Sequence, residues 1–534
     1  MIRILATTAL VASLALPGLA ATPAEGEKLA DNQSLNFWVL DAIKSLDPHK
    51  NTDVEGSHVL RQLFEGLLNE DKTGAMVPGV AESYDVSDDK LTYTFHLRDA
   101  KWSNGDPVTA GDFVYGWQRA ANPATASEYA WFIELMNIVN ATEVVKGDKA
   151  PEELGVKALD DKTLQVTLAT PTPYFVKTLA HPTTYPVNRK VVEELGDDWT
   201  KPGNLVGNGA YKLDSHDLGV SLVVSKNDTY WDADHTIIDK VDFITVNDQN
   251  IALTRYLAGE LDWFDRVPAG QFPKLLKEYP DQAVSTPRAC TYGYLFNLSG
   301  KGPESLKDLR VRQALSYAVD RDIVTDKILQ GGQHPAYYWT NAAIEGFEAP
   351  DIEMSHWTQA ERVEKAKALL TEAGYGPDNP LKLTVQYNTS DDHKKLAIAV
   401  QQFWKAIGVD VTLANYEWKV HTDRMQNQDF EVGRAAWCAD YNEASTFLDY
   451  FRTDGYNNGK WSNADFDKLL ADARAADNAA ELYQQAEQIL IGDMPLVPVY
   501  HYANAMMVRP DLRGIPYDNA MYNWYAKDMY RVTE

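Results

Sequence analysis

The sequence predicts an α/β protein, and three patterns support this prediction. Residues alternate between apolar and polar at 91–97 and 163–168, which is typical of half-buried strands. Segments with apolar residues at helical spacing recur along the whole chain. A predicted strand, helix and strand follow one another at 241–246, 247–258 and 261–264. Such a unit favours some parallel pairing within an α/β domain.

The first part of the chain supplies one element of each kind. Residues 37–40 predict a short strand, and apolar residues at helical spacing predict an amphipathic helix over 55–68. Thr109 followed by Asp112 resembles a helix N-cap with an acidic first turn, so a second helix is expected to run through Trp117. An Asn-Gly turn at 208–211 leads into a further strand.

The second part of the chain is mostly helical with single strands between the helices. Two prolines forbid a helix over 495–502, which is therefore extended. The remaining predictions are helices over 307–319, 320–328, 361–373 and 394–407, and a strand over 409–414.

Length and charge limit the possible classes of protein. The chain has 534 residues, which is too many for one core, so two or three domains are expected. The formal net charge of −27 argues against binding to nucleic acid and to anionic membrane surfaces. It does not identify a ligand, because an acidic surface also serves solubility.

The first twenty residues resemble a cleaved secretory signal. Arg3 is followed by an apolar run to Leu16, and small residues precede a cut after Ala20. The run is short for a membrane span, and no later stretch approaches 18 apolar residues, so the mature chain is expected to be exported and not embedded in a membrane.

An exported protein folds in an oxidising compartment, where cysteines can form disulfides. The chain contains two cysteines, Cys290 and Cys438, and in an oxidising compartment such a pair usually forms a disulfide. The bond would close a loop of 148 residues (438 − 290), for which chain entropy gives at most about 5 kcal/mol. Two separate buried thiols are the alternative.

The sequence contains none of the common catalytic or metal-binding motifs. It has no G-x-S-x-G, H-E-x-x-H, Walker or G-x-G-x-x-G segment, and its histidines are scattered. We therefore expect no metal and no cofactor, and we expect a protein that is not an enzyme. A hydrolase built from two distant carboxylates stays open as an alternative, since many acidic pairs occur.

Several ordered motifs together make the chain resemble the periplasmic oligopeptide-binding proteins, the solute-binding subunits of bacterial peptide ABC importers. The resemblance runs over nearly the whole mature chain. The motifs are SLDPHK (45–50), LFEGL (63–67), PGVAES (78–83), WSNGDPVT (102–109), DFVY (112–115), WQR (117–119), NGAY (208–211), DLRVRQAL (308–315), YNTS (387–390), HKK (393–395), EWK (417–419) and RAAWCADYNE (434–443).

The resemblance implies a periplasmic binding protein-like fold with two lobes that close around a hinge. It further implies three domains. Domain I is expected to be discontinuous, with residues 21–64, 189–289 and 506–534, whereas domain II is expected at 65–188 and domain III at 290–505, after a signal peptide at 1–20. The implied localisation is the Gram-negative periplasm, and the implied partners are short peptides and an inner-membrane ABC permease. A monomer is the default expectation.

The charged ends of a peptide need charged partners once water is removed. The resemblance assigns Asp440 to the terminal ammonium. Arg434 is the first candidate for the terminal carboxylate, because a planar guanidinium suits it. An ion pair inside the protein, for instance between Arg434 and Asp440, is the alternative. His393 matches a histidine that serves ligands of particular lengths, and Arg424 matches a further cation only after a shift of one residue.

Peptide amides are expected to pair with protein main chain as an added strand does, which tolerates many side chains. The resemblance places these main-chain groups at Ala436, Cys438 and Val54. It places aromatic walls of the pocket at Trp418, Trp437 and Tyr129, for which ordinary core packing is the alternative.

Departures from the family pattern bear on specificity. Leu329 stands where close relatives have a lysine that pairs with the ligand carboxylate, Ala436 replaces a glycine, and Arg288 and Gly293 replace tyrosines. Arg288 is therefore a candidate replacement for the lysine as carboxylate partner. A dedicated receptor for a cell-wall murein tripeptide is the alternative within this class, and an exported hydrolase is the alternative outside it.

Overall fold

A computed structural model describes residues 21–476 and 478–533, so the proposed signal peptide lies outside the described residues. The strands are β1 Ser34–Val39, β2 Leu68–Glu70, β3 Met76–Pro78, β4 Ala81–Val86, β5 Thr92–Leu97, β6 Val156–Asp160, β7 Thr163–Thr167, β8 Tyr211–Asp217, β9 Ser221–Lys226, β10 Lys240–Thr245, β11 Trp263–Phe264, β12 Ala283–Phe296, β13 His334–Pro335, β14 Lys382–Asn388, β15 Asp410–Tyr416, β16 Val432–Cys438, β17 Leu496–Val508, β18 Leu512–Arg513 and β19 Tyr530–Arg531. The helices are α1 Val54–Leu63, α2 Ala110–Ala121, α3 Ala130–Leu135, α4 Ala141–Lys146, α5 Phe175–Thr178, α6 Arg189–Leu195, α7 Gln249–Leu257, α8 Phe272–Glu278, α9 Leu309–Ala318, α10 Gln359–Glu372, α11 Asp391–Ala406, α12 Trp418–Gln426, α13 Ser445–Leu448, α14 Ala464–Ala475 and α15 Ala480–Asp493.

One large sheet runs through most of the molecule, in the order β15-β14-β16-β12-β17-β11-β1-β10-β9-β8. Strand β1 pairs in parallel with β10 on one side and with β11 on the other. Helix α7 connects β10 to β11, which confirms the strand, helix and strand predicted from the sequence and their parallel arrangement. The mixed helices and strands confirm the predicted α/β class.

Two long antiparallel strands, β12 and β17, cross the middle of this sheet. Their pairing joins residues 283–287 to 503–507 at one end and residues 291–295 to 496–501 at the other. The register shifts between Pro287 and Thr291, where the regular ladder is interrupted. The predicted domain limit at 289 falls in this segment, and the limit at 505 lies nearby on β17, where Ala505 pairs with Ser285. The names domain I, domain II and domain III are kept for the residue ranges predicted from the sequence.

Domain II carries its own antiparallel sheet, in the order β4-β5-β7-β6. The buried apolar residues form separate clusters on the two sides of the molecule. One apolar cluster is formed almost wholly by domains I and II, with Phe37, Phe95 and Trp117 among its members. Two further clusters lie almost wholly within domain III and include Trp404 and Phe447. Because each side of the molecule buries its own core, the chain forms two lobes, with domains I and II on one side and domain III on the other.

Two predicted helices differ from the structure. The helix expected over 55–68 ends at Leu63, where Phe64 becomes extended and Leu68 already opens β2. Gly66 lies so close to the Leu179 carbonyl that a Cβ atom would meet its oxygen at 2.8 Å, so the chain packs against a neighbour instead of continuing the helix. The segment expected to be helical at 320–328 forms π-helical turns over Ile323–Leu329.

The other predicted elements are found, with ends displaced by a few residues, and the extended run at 495–502 continues as β17 to Val508. Within the described part of the chain, no helix combines the length and the apolar character that crossing a membrane requires.

Candidate functional site

Strand β16 presents a free main-chain edge. Strand β14 pairs with β16 only at Val432 and Gly433, whereas β12 pairs with the whole of β16 up to Cys438. The amide of Ala439 donates to the Ala289 carbonyl of β12. Because successive residues of a strand point their main-chain groups to opposite edges, Ala436 and Cys438 direct theirs away from β12. These are the two positions at which the sequence predicted pairing with a ligand.

Asp440 lies directly beyond this edge. Its side chain is 10% exposed, and Oδ1 lies 3.4 Å from the hydroxyl of Tyr129 and 3.6 Å from Nε2 of His181. Oδ2 is buried without a hydrogen-bond partner among the described residues. Burial raises the pKa of Asp440 from 3.8 to about 7, against smaller lowering effects of Tyr129 and Arg61. Among the described residues, no arginine or lysine forms an ion pair with this carboxylate.

Both residues facing Asp440 come from domain II. His181 accepts from the amide of Thr183 through Nδ1, so its proton is assigned to Nε2, which faces Asp440. Its ring stacks on Tyr129 at 5.4 Å and on Phe132 at 4.4 Å between centroids. Burial lowers the pKa of His181 to about 3, so the imidazole is neutral at physiological pH and supplies no compensating charge.

The predicted cation Arg434 lies on β16 and is 9% exposed. One guanidinium nitrogen donates to the hydroxyl of Tyr502 at 3.1 Å, and its carbon lies 5.0 Å from the centroid of the Tyr292 ring. Nε is buried without a partner among the described residues. No described carboxylate lies within ion-pair distance of Arg434, so the alternative of an internal pair with Asp440 is not realised.

His393 is near Arg434, in the first turn of α11. Its ring centroid lies 5.6 Å from that of Tyr292, and its Nδ1 has no partner among the described residues. Burial, followed by the charge of Arg434, holds the pKa of His393 well below its ordinary value. A neutral imidazole and a guanidinium therefore lie beside the same tyrosine.

Trp418 begins α12 at the edge of the same region. Its ring stacks on His421 at 6.1 Å, and Nζ of Lys44 in domain I lies 5.6 Å from its centroid. Nε2 of His421 bonds the carbonyl of Arg434 at 3.0 Å. Helix α12 thus closes the free edge of β16 at Arg434, and the edge stays open only at Ala436 and Cys438.

Trp437 points to the other face of β16. Its ring packs against Trp131 of domain II at 6.1 Å and against Tyr450 at 5.0 Å and Tyr456 at 5.7 Å. Its Nε1 has no partner among the described residues. The two tryptophans form an aromatic wall that spans the two lobes next to Asp440.

The structure separates Arg424 from the other predicted cations. Its guanidinium donates to Gln386 at 3.0 Å and lies 4.6 Å from the centroid of Tyr416. These residues line a surface cavity of about 370 Å³ that contains none of the other predicted site residues. The neighbouring residue Met425 takes the buried position against Gly433.

The remaining predicted positions are on the domain I side or close to it. Val54 opens α1, whose N-cap is Asp53. Arg288 is buried, donates to Asn504 at 3.3 Å and lies 5.1 Å from the centroid of Tyr522.

Leu329 and Gly293 have local packing roles. Leu329 is buried in the apolar core of domain III. A Cβ atom on Gly293 would meet the Val497 carbonyl oxygen at 2.7 Å and the ring of Trp339 at 3.3 Å. A larger side chain at position 293 would therefore crowd both the Val497 carbonyl and the Trp339 ring.

The predicted disulfide between Cys290 and Cys438 is present and links paired positions of β12 and β16. It ties the free edge to the long strand that crosses between the lobes.

Sequence reasoning missed His181, Tyr292 and Tyr502. Each contributes one side chain from a distant segment, and no local motif distinguishes it from the other histidines and tyrosines. The family resemblance identified Asp440 and Arg434 as site residues, but it did not identify the side chains that contact them.

Comparisons with known proteins agree on the family. The description "Bacterial extracellular solute-binding proteins, family 5 Middle" matches residues 75–459. The chain is 45% identical over 532 residues to the periplasmic oligopeptide-binding protein OppA of Salmonella typhimurium, covering 98% of this chain and 97% of the relative.

Two solved relatives have similar structures. A complex of Haemophilus influenzae OppA with the peptide RPPGFSPFR matches with a TM-score of 0.89 at 39% identity, covering 95% of this chain and all of that one. The Escherichia coli murein tripeptide-binding protein MppA matches with a TM-score of 0.91 at 42% identity, with the same coverage.

A second structure of MppA, described as its unliganded open form, matches with a TM-score of only 0.72 at 42% identity, covering 96% of this chain and 99% of that one. The lobes of this chain are therefore arranged as in the peptide complex and not as in the open form. This agrees with the contacts that Tyr129, His181 and Trp131 make across the cleft.

Proposed function

The chain belongs to the bacterial extracellular solute-binding proteins of family 5, and we propose that it captures short peptides in the periplasm by closing its two lobes and delivers them to an inner-membrane ABC permease. Its relatives are binding proteins and not enzymes, and in this proposal no bond of the ligand is broken.

One observation carries the proposal: the free edge of β16 ends at a buried carboxylate that no described arginine or lysine pairs with. A peptide laid along Ala436 and Cys438 adds a strand by main-chain hydrogen bonds, and its terminal ammonium then reaches Asp440. The ammonium supplies the charge that Tyr129 and neutral His181 do not. A charge-assisted hydrogen bond in such a place contributes about 1.5–3 kcal/mol. Side chains take no part in this pairing, so many sequences fit.

The other end of the peptide needs a cation, and Arg434 is the residue that we assign to it. Its guanidinium has donors to spare, because Tyr502 takes one of them and Nε has no partner among the described residues. His393 beside it is a neutral donor for the same carboxylate. Tyr292 and Tyr502 hold the guanidinium in place.

We assign the hinge to the irregular segment between Pro287 and Thr291, where the β12–β17 ladder is interrupted. Bending there moves domain III relative to domains I and II without breaking regular strand pairing. The predicted domain limits at 289 and 505 are part of this proposal, as is cleavage of the signal peptide after Ala20.

Capture of a murein tripeptide is the second candidate. The murein tripeptide-binding protein MppA is as similar in fold as the oligopeptide-binding relatives, and the departures from the family pattern at Ala436 and Arg288 bear on which ligand fits. Asp440 and Arg434 suit a free amine and a free carboxylate, which both kinds of ligand carry, so identification of the bound ligand decides between the two candidates.

The test is to purify the mature protein from its native periplasm, denature it, and identify the released molecules by mass spectrometry. A ladder of heterogeneous two- to five-residue α-peptides supports the proposal. Release of a single murein tripeptide would instead support the second candidate function. Incubation of the purified protein with peptides checks the remaining alternative, since release of fragments would identify a hydrolase.

A further inference from the structure

Arg61 is a buried cation without a bonded partner. It lies on α1 in domain I and is 7% exposed. Among the described residues, Arg61 donates no hydrogen bond and forms no ion pair, and its Nε is buried without an acceptor. Burying an unpaired guanidinium is costly, so such a group is typical of a position that receives an anion from a ligand.

The surroundings of Arg61 contain further unused polar groups. His58 lies one turn earlier on α1, and its ring centroid is 5.7 Å from that of Tyr522 and 5.3 Å from that of Trp524. Nδ1 of His58 and the indole nitrogens of Trp524 and Trp263 are buried without partners among the described residues. The region is therefore rich in buried groups that can donate hydrogen bonds.

Arg288 approaches the same group of rings from β12. It is 8% exposed, and its guanidinium carbon lies 5.1 Å from the centroid of the Tyr522 ring, against which His58 also packs. Its one hydrogen bond among the described residues is a long contact of 3.3 Å to Asn504. Arg288 stands two residues before Cys290, which is paired with Cys438 on the free edge of β16. The guanidinium of Arg288 and the ring of His58 thus pack against the same tyrosine.

Two buried carboxylates, Glu70 and Asp265, interact electrostatically with Arg61 and Arg288 respectively, but neither forms a direct ion pair with them among the described residues. Glu70 already accepts from Asn519 at 3.1 Å and from Asn523 at 2.9 Å. Asp265 is buried near Tyr522, and no ion pair joins it to Arg288 among the described residues. Asp440 is committed to the ligand ammonium in the proposed function. Burial raises the pKa of Asp440, and the charge of Arg61 acts against this rise, so Arg61 is near enough to influence the amino end of the peptide.

We propose that Arg61 and Arg288 form a subsite for a second carboxylate of the peptide, carried by an acidic residue near its amino end. This inference rests on the proposed function, because it needs a peptide along β16. Two kinds of residue carry such a group: an α-linked glutamate or aspartate, and a γ-linked glutamate whose α-carboxylate is free.

The test compares peptides that differ only in this charge. Dissociation constants are measured by calorimetry for Ala-Ala-Ala, for Glu-Ala-Ala and Ala-Glu-Ala, and for their glutamine counterparts. At one position the wild-type protein is expected to bind the glutamate peptide about tenfold or more tightly than the glutamine peptide. Ala-γ-D-Glu-Ala distinguishes the γ-linked source from the α-linked one. Amidated peptides separate the second carboxylate from the terminal carboxylate.

The variants Arg288→Gln and Arg61→Gln are expected to abolish this preference while Ala-Ala-Ala still binds. Arg424→Gln, in the separate surface cavity, is the matched control and is expected to keep it. Thermal unfolding checks that each variant is folded, and the wild-type comparison alone remains decisive if Arg61→Gln fails to fold. An equal or weaker affinity for every glutamate peptide overturns the inference, as does a preference that neither folded variant reduces. Failure of Ala-Ala-Ala to bind would instead contradict the proposed function.

Discussion

The hydroxyl of Tyr129 lies 3.4 Å from Oδ1 of Asp440, although the two residues are 311 positions apart in the chain. Tyr129 belongs to domain II and Asp440 to domain III, so this contact exists only when the lobes are closed. The buried state of Asp440 is therefore a property of the closed cleft, and both the ligand ammonium and pH are expected to act on closure through this carboxylate.

Asp440→Asn is expected to weaken binding of peptides with a free amino terminus by roughly tenfold to a hundredfold or more, the loss of a charge-assisted hydrogen bond in a buried place. Asparagine keeps the size of the side chain and its contact with Tyr129, so the packing is preserved. Calorimetric titration with Ala-Ala-Ala measures the effect.

The N-acetylated form of the same peptide is the control for Asp440→Asn. It lacks the ammonium, so the wild-type protein is expected to bind it weakly, and the variant is expected to discriminate less between the two peptides. Equal loss of affinity for both peptides would mean that Asp440 acts on the structure of the site and not on the ammonium.

The empty closed cleft is expected to depend on pH. Burial in the closed cleft raises the pKa of Asp440 from its ordinary value of 3.8 to about 7, and opening the cleft is expected to return it toward the ordinary value. The closed form therefore binds a proton more tightly than the open form. Between about pH 4 and pH 7, each unit of rising pH disfavours empty closure by about 1.4 kcal/mol, and above pH 7 the penalty is constant at roughly 4 kcal/mol. A ligand ammonium removes this penalty, which couples closure to capture.

The distance between spin labels on domains II and III, measured without peptide, tests this coupling. The closed fraction is expected to be larger at pH 5 than at pH 8, and the difference is expected to vanish in Asp440→Asn. His181 does not add to the effect, because its pKa of about 3 keeps it neutral over this range. A closed fraction that rises toward pH 8 would refute the role of Asp440 in gating.

The order of elements could be predicted from the sequence, because alternation and helical spacing are local properties, and the free edge at Ala436 and Cys438 was predicted from the family resemblance. The end of α1 could not. The apolar residues of 55–68 are buried whether they continue a helix or enter β2, and the close approach of Gly66 to Leu179 is a tertiary contact that accompanies the turn into β2. Local periodicity does not contain that contact.

The side chains that contact the charged site residues also could not be predicted from local sequence patterns. Arg434 and Asp440 were found through their motif, but Tyr502 and His181 reach them from segments that no spacing rule connects. Arg424 illustrates the same limit on a helix. The rotation of α12 buries Met425 against Gly433 and turns Arg424 to the surface cavity, and a shift of one residue reverses that choice.

Removing the disulfide by the double change Cys290→Ser and Cys438→Ser is expected to lower the free energy of unfolding of the protein by about 2–5 kcal/mol. The bond closes a loop of 148 residues, so its main effect is on the unfolded chain. Denaturant unfolding measures it, with the reduced wild-type protein as control. Peptide affinity is expected to change little, because Cys438 would contact the ligand through its main chain. An unchanged unfolding free energy would contradict the prediction.

Arg434→Gln is expected to weaken binding of free-acid peptides whose length brings their carboxylate to this residue, by roughly tenfold or more. Glutamine retains a donor to Tyr502 but not the charge, and neutral His393 cannot replace that charge. The comparison uses Ala-Ala-Ala-Ala and shorter alanine peptides together with their carboxamides. Arg424→Gln is the matched control, because that guanidinium bonds Gln386 in the surface cavity and is expected to leave every affinity unchanged. If Arg424→Gln lowered the affinity and Arg434→Gln did not, the carboxylate would bind at Arg424, and α12 would have to rotate when the ligand binds.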